Sequence, residues 1–91
     1  MATIIRPDGS REIVSPKEDT FTLEELRTYI GCEWVELIVL DDGKYMWINE
    51  EGKLSDHLPN PDATLLLQAA GGIPGDYIAG SAMITESDEV K

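Results

Sequence analysis

The chain has 91 residues, 42 % of them hydrophobic, and its 18 acidic against 7 basic side chains give a net charge of −11. That size makes one small domain with a thin core, and the hydrophobic content lies well above the disordered range. The charge excludes direct binding of DNA or RNA, which needs clustered Lys and Arg to displace counterions from phosphate, whereas the basic residues here are scattered.

The first predicted element pair is a β-hairpin. Thr3-Ile4-Ile5-Arg6 and Arg11-Glu12-Ile13-Val14 flank Pro7-Asp8-Gly9-Ser10, and Asp-Gly between β-rich runs marks a tight turn whose glycine takes positive φ. Ser15 to Thr20 is polar and reads as loop. A helix is then predicted from about residue 23 to 30. Thr22 and Glu25 have the spacing of a capping box, Phe21 and Leu26 stand at the positions of a hydrophobic staple, and Gly31 ends the helix. Leu23, Leu26 and Ile30 share its apolar face.

A second hairpin joins Trp34–Leu40 to Lys44–Ile48 through Asp42-Gly43. A two-residue loop would set Leu40 opposite Tyr45 and Ile38 opposite Trp47. Because strand side chains alternate, one face would then carry Val35, Leu37, Val39, Met46 and Ile48 as core. The other would carry Trp34, Glu36, Ile38, Leu40, Tyr45, Trp47 and Asn49, either packed under a helix or open as an aromatic platform. After a connection containing Gly52, Asn60 is a good N-cap, Pro61 suits the first helical position and Asp62 suits the positive end of the dipole. That second helix runs through Leu65–Leu67 and Ala70 and stops at Gly71-Gly72. Asp76 to Ile84 reads as a last strand, and residues 86–91 as an acidic, mobile tail beyond a single domain at 1–85. The order β-β-α-β-β-α-β gives an α+β fold: a mostly antiparallel sheet with two short helices against it.

Chemistry-bearing motifs are sparse. His57 is the sole histidine and Cys32 the sole cysteine, so an ordinary zinc site and an internal disulfide are not expected, and no paired nucleophile and base is displayed. Gly71-Gly72-Ile73-Pro74-Gly75 lacks the phosphate-loop pattern and follows a helix, unlike a dinucleotide loop. No catalytic residue, metal site or cofactor is expected. The lone cysteine fits a reducing, cytoplasmic setting. No signal peptide is seen, and Leu37–Leu40 is far shorter than the ~20 apolar residues of a membrane helix.

Five stretches together resemble one family. Ile4-Ile5-Arg6-Pro7-Asp8-Gly9, Thr22-Leu23-Glu24-Glu25-Leu26, Asn49-Glu50-Glu51-Gly52-Lys53-Leu54, Pro59-Asn60 with Ala63, and Gly75-Asp76-Tyr77-Ile78-Ala79-Gly80 are similar to DUF3846, a family of small phage, plasmid and bacterial proteins of unestablished function. The resemblance implies a mobile genetic element as context and supplies no catalytic residues.

Two functional expectations follow. In the first, a non-enzymatic protein inhibits a host defence protein through an acidic surface at Asp41, Asp42, Glu50 and Glu51. In the second, the chain sequesters a small nucleotide messenger. Trp34, Glu36, Tyr45, Trp47 and Asn49 would form its face, with Arg6, Arg27 and Lys53 converging to offset the negative field, across a homodimer if need be.

Overall fold

A computed structural model of the chain describes residues 1–52 and 57–90. Two local rules build most of it. Strands β1 (Ala2–Ile5) and β2 (Arg11–Val14) form the first hairpin, and β3 (Val35–Val39) and β4 (Tyr45–Asn49) the second. Both close with the same device. Gly9 N–H donates to Arg6 O and Gly43 N–H to Leu40 O, and both glycines take left-handed φ, +87° and +86°. In each turn the aspartate before the glycine accepts from the amide two residues on, Asp8 from Ser10 at 2.9 Å and Asp42 from Lys44 at 3.1 Å. These are three-residue loops, a turn followed by a left-handed glycine.

Helix α1 (Leu23–Ile30) has the expected capping box. Thr22 Oγ1 accepts from Glu25 N–H at 3.1 Å, and Glu25 Oε1 accepts from Thr22 N–H at 3.1 Å. Phe21 and Leu26 are both fully buried, as a staple requires. Helix α2 (Pro61–Ala69) starts at the Asn60 cap and ends where Gly72 N–H reaches Leu67 O and Gly71 takes φ +91°.

The last strand, β5 (Ala82–Thr85), is shorter than its sequence suggests. Asp76–Ser81 is not strand. Pro59 and Ala79 bridge antiparallel, Asn60 N–H donates to Ile78 O, and Gly80 N–H donates to Leu58 O. Apolar content at 76–84 mimics a strand, but the backbone of its first half is spent on the segment ahead of α2.

All strand pairs are antiparallel, in the order β2-β1-β5-β4-β3. The fold is therefore α+β, as expected, with β5 inserted between the two hairpins. The two helices cover opposite faces. Under α1 lie Ala2, Ile4, Phe21, Leu26, Ile30 and Met83, with Trp47 and Val35 at their margin. Under α2 lie Leu40, Met46, Ile48, Ala63, Leu67 and Ala82. Residues 86–90, marked off in the sequence as an acidic tail, lie against the domain. A 3-10 turn spans Ser87–Glu89, Val90 bridges Phe21, and Glu89 pairs with the Met1 amino group.

Asn60 ties these parts together. It is wholly buried. Its Oδ1 accepts from Ala63 N–H at 3.1 Å, and its Nδ2 donates to Ile5 O and Gly80 O, each at 2.9 Å. One side chain thus joins the end of β1, the approach to β5 and the start of α2.

Candidate functional site

The β3–β4 hairpin carries most residues that the sequence singles out, and its register differs from the expectation by one residue. Val39 pairs with Tyr45, Ile38 with Met46, Leu37 with Trp47, Glu36 with Ile48 and Val35 with Asn49. The cause is the loop. Asp41, Asp42 and Gly43 all belong to it, since Leu40 N–H donates to Lys44 O at 2.8 Å. A shift of one flips a strand's faces. Val35, Leu37 and Val39 therefore side with Tyr45, Trp47 and Asn49, whereas Glu36, Ile38 and Leu40 side with Met46 and Ile48.

This register corrects the expected core. Leu37 and Val39 are not interior: they are 40 % and 56 % exposed, at the edge of the face that α1 covers further in. Trp34, just ahead of β3, is 56 % exposed, and the Arg27 guanidinium of α1 stands 5.9 Å from its ring centroid. Trp47 is half-buried. Its Nε1–H donates to Thr85 Oγ1 at 3.1 Å, and its ring meets Tyr45 edge-on at 6.0 Å between centroids. Trp47 is thus a margin of the core more than an open platform.

The four acidic residues do not form one patch. Asp41 and Asp42 sit in the hairpin turn, and Glu50 and Glu51 lie beyond the other end of β4. Five strand residues separate the pairs, roughly 17 Å at 3.3 Å per residue. All four are exposed. At the far end Glu50 N–H donates to Trp34 O, which brings Glu50 beside the start of β3, and Glu51 N–H donates to Asn49 Oδ1.

The nucleotide set is dispersed as well. Glu36 sides with Ile38 and Ile48 and lines a cavity of about 200 Å³ with them, Asp76, Tyr77 and one other member of the set, Asn49. Arg6 pairs with Glu12 in the first hairpin. Lys53 lies outside the described residues. Trp34 and Asn49 do share a hollow of about 220 Å³ with Cys32, Glu33, Glu51 and His57. There His57 Nε2 is 3.4 Å from Asn49 Nδ2. The Cys32 thiol donates to Trp34 O at 3.3 Å, and burial raises its pKa above the ordinary value, which disfavours a reactive thiolate. No group of three or more His, Cys, Asp or Glu among the described residues is placed to hold a metal ion. No helix among them is long and apolar enough to cross a membrane.

What the sequence missed is the exposed pair Leu37 and Val39. The available signal was the repeated Asp-Gly turn: Pro7-Asp8-Gly9 and Asp41-Asp42-Gly43 obey one loop rule, and reading both as three-residue loops sets the register seen here.

No curated protein and no solved structure matches the chain. A family model, DUF3846, domain of unknown function, matches residues 2–91, and the chain belongs to that family.

Proposed function

We propose that this member of DUF3846 acts without catalysis, as a small acidic protein that binds a basic protein partner through the β3 side of its sheet. The observation that carries the reading is the exposed apolar pair Leu37 and Val39 on one face of β3, with the exposed Trp34 just ahead of the strand, and with Asp41 and Asp42 at one end of the strand and Glu33 and Glu50 at the other. Apolar and aromatic side chains at the centre with charges at the rim are the anatomy of a protein interface. A net charge of −11 raises the encounter rate with a basic surface and repels acidic ones. The mobile-element context that the resemblance implies makes a host defence protein the partner to look for, with inhibition as the consequence of its capture. Sequestration of a nucleotide is the weaker reading, because Arg6 pairs with Glu12 in the first hairpin and an anionic ligand would meet the field of a chain carrying −11.

The test begins with affinity capture from host lysate and purification of the captured protein. Its association rate should fall at least about tenfold as salt rises from about 0.05 to 0.5 M, because screening shortens with ionic strength. It should also fall when Glu33, Asp41, Asp42 and Glu50 are changed to Gln and Asn. A rate indifferent to both changes refutes the acidic-surface reading.

A further inference from the structure

The outer edge of β3 specifies how a partner would be held. β3 ends the sheet, and among the described residues it has a strand neighbour on one side only. In an antiparallel pair, alternate residues aim their backbone groups at the neighbour. Leu40 N–H donates to Lys44 O, and Glu50 N–H donates to Trp34 O, so residues 34, 36, 38 and 40 face β4. Val35, Leu37 and Val39 therefore turn their N–H and C=O groups outward, and of their side chains Leu37 and Val39 are exposed while Val35 packs at the margin of the core under α1. Natural sheets blunt such edges with charged side chains, Lys above all, with Pro or with a bulge, and here the one charge is Glu36. Val35-Glu36-Leu37-Ile38-Val39 has no Lys or Pro, and it pairs with β4 without a bulge.

We infer that this edge accepts an extended segment of the basic partner as a sixth strand, its apolar and basic residues alternating. The inference rests on the function proposed above and gives its mode of recognition. An added residue opposite Leu37 would place its side chain on the face of Leu37 and Val39, so an apolar one fits. The residues between would point to the face of Glu36, so basic ones fit. A second copy of the chain fits badly. The self-pairing that uses all three outward residues is centred on Leu37, and it sets Asp41 of one copy opposite Glu33 of the other. Like charges directly opposite destabilise a strand pair, and each copy carries −11.

The probe is a blocked heptapeptide alternating Lys and Val, titrated at low salt into the isotopically labelled chain. Expected are amide shifts and slowed hydrogen exchange at Val35, Leu37 and Val39. N-methylation of the peptide's valines should weaken binding about tenfold or more, since each removes an interstrand bond, while N-methylation of its lysines should not. Val39→Lys should also weaken binding, with folding checked by thermal melt. If both methylated peptides bind alike and salt still governs affinity, strand addition is wrong and the acidic-surface reading stands. If the heptapeptide does not bind at all, strand addition is wrong, and the acidic-surface reading is decided by the salt and charge dependence of the captured partner's association rate. If the chain sediments as a dimer with those amides already protected, the edge belongs to a second copy and the inference falls.

Discussion

Replacing Asn60 by aspartate separates two roles that alanine would confuse. As an N-cap alone, aspartate serves about as well as asparagine, and its charge suits the helix dipole, so Asn60→Asp would be nearly neutral. The geometry demands more. Nδ2 is the donor to Ile5 O and Gly80 O, each at 2.9 Å, and the side chain is wholly buried. In the variant an oxygen would face two carbonyl oxygens. Two net hydrogen bonds are lost, about 0.5–1.5 kcal/mol each, and a buried carboxylate is left against acceptors, which adds on the order of 1–3 kcal/mol. A loss of roughly 2–6 kcal/mol is expected, a large part of the ~5–15 kcal/mol typical of a domain. Urea unfolding at neutral pH measures it. The pH dependence supplies a second check. Burial against acceptors should raise the pKa of the introduced carboxyl in the folded state above its unfolded value of about 3.9. The folded state then binds more protons, so the deficit should shrink as pH falls through the folded pKa. A variant within about 0.5 kcal/mol of wild type at neutral pH would show that Asn60 is a cap and no more.

Glu25→Gln tests the capping box through acid. Hydrogen bonding from the Thr22 backbone, outweighing partial burial and aided by Lys17 N–H, holds the Glu25 carboxyl below its ordinary pKa. Its stabilisation is present at neutral pH and lost as pH falls through the folded pKa, so the gap in urea midpoint between variant and wild type should close near pH ~2, and a gap that persists there counts against the ionised box. Trp47→Ala should cost about 2–4 kcal/mol, slightly under the range for a fully buried aromatic because the ring is half-exposed; an unchanged thermal midpoint would remove Trp47 from the core margin. Gly52→Ala should cost roughly 1–3 kcal/mol. An added Cβ would stand 2.5 Å from Ala79 O, and a variant as stable as wild type would contradict that approach of the two backbones.

The helices and hairpins were legible because local chemistry makes them. Thr22 with Glu25, Asn60 with Pro61, and the two Asp-Gly turns each need only neighbours a few residues away. What lay beyond reading was non-local. Nothing in Ala82–Thr85 says that it slots between β1 and β4, because that position follows from pairing partners some eighty and forty residues distant. Nor does anything say that α1 and α2 take opposite faces. The site suffered from a single miscounted loop residue. It exchanged the faces of β3, and so moved Leu37 and Val39 from surface to core on paper. Asn60 was legible as a cap, but its bonds to Ile5 O and Gly80 O again needed the distant chain.

The two ends of the sheet bear on the same question as the charge. At the β2 edge, Arg11 reaches Asp62 at 3.7 Å and Glu12 pairs with Arg6, so that edge carries both signs and its charges are engaged within the domain. At the β3 edge the strand itself offers one charge, Glu36, and three apolar residues with outward backbone groups. Such an edge invites pairing with any extended chain, copies of itself included. What opposes self-pairing is the acidic excess around it, above all Asp41 and Glu33, which a centred pair of copies would bring together. The same carboxylates favour a strand bearing Lys or Arg. In the proposed mode of recognition, charge and edge act as one device: the acidity that disfavours a centred pair of copies would select a basic strand as the partner.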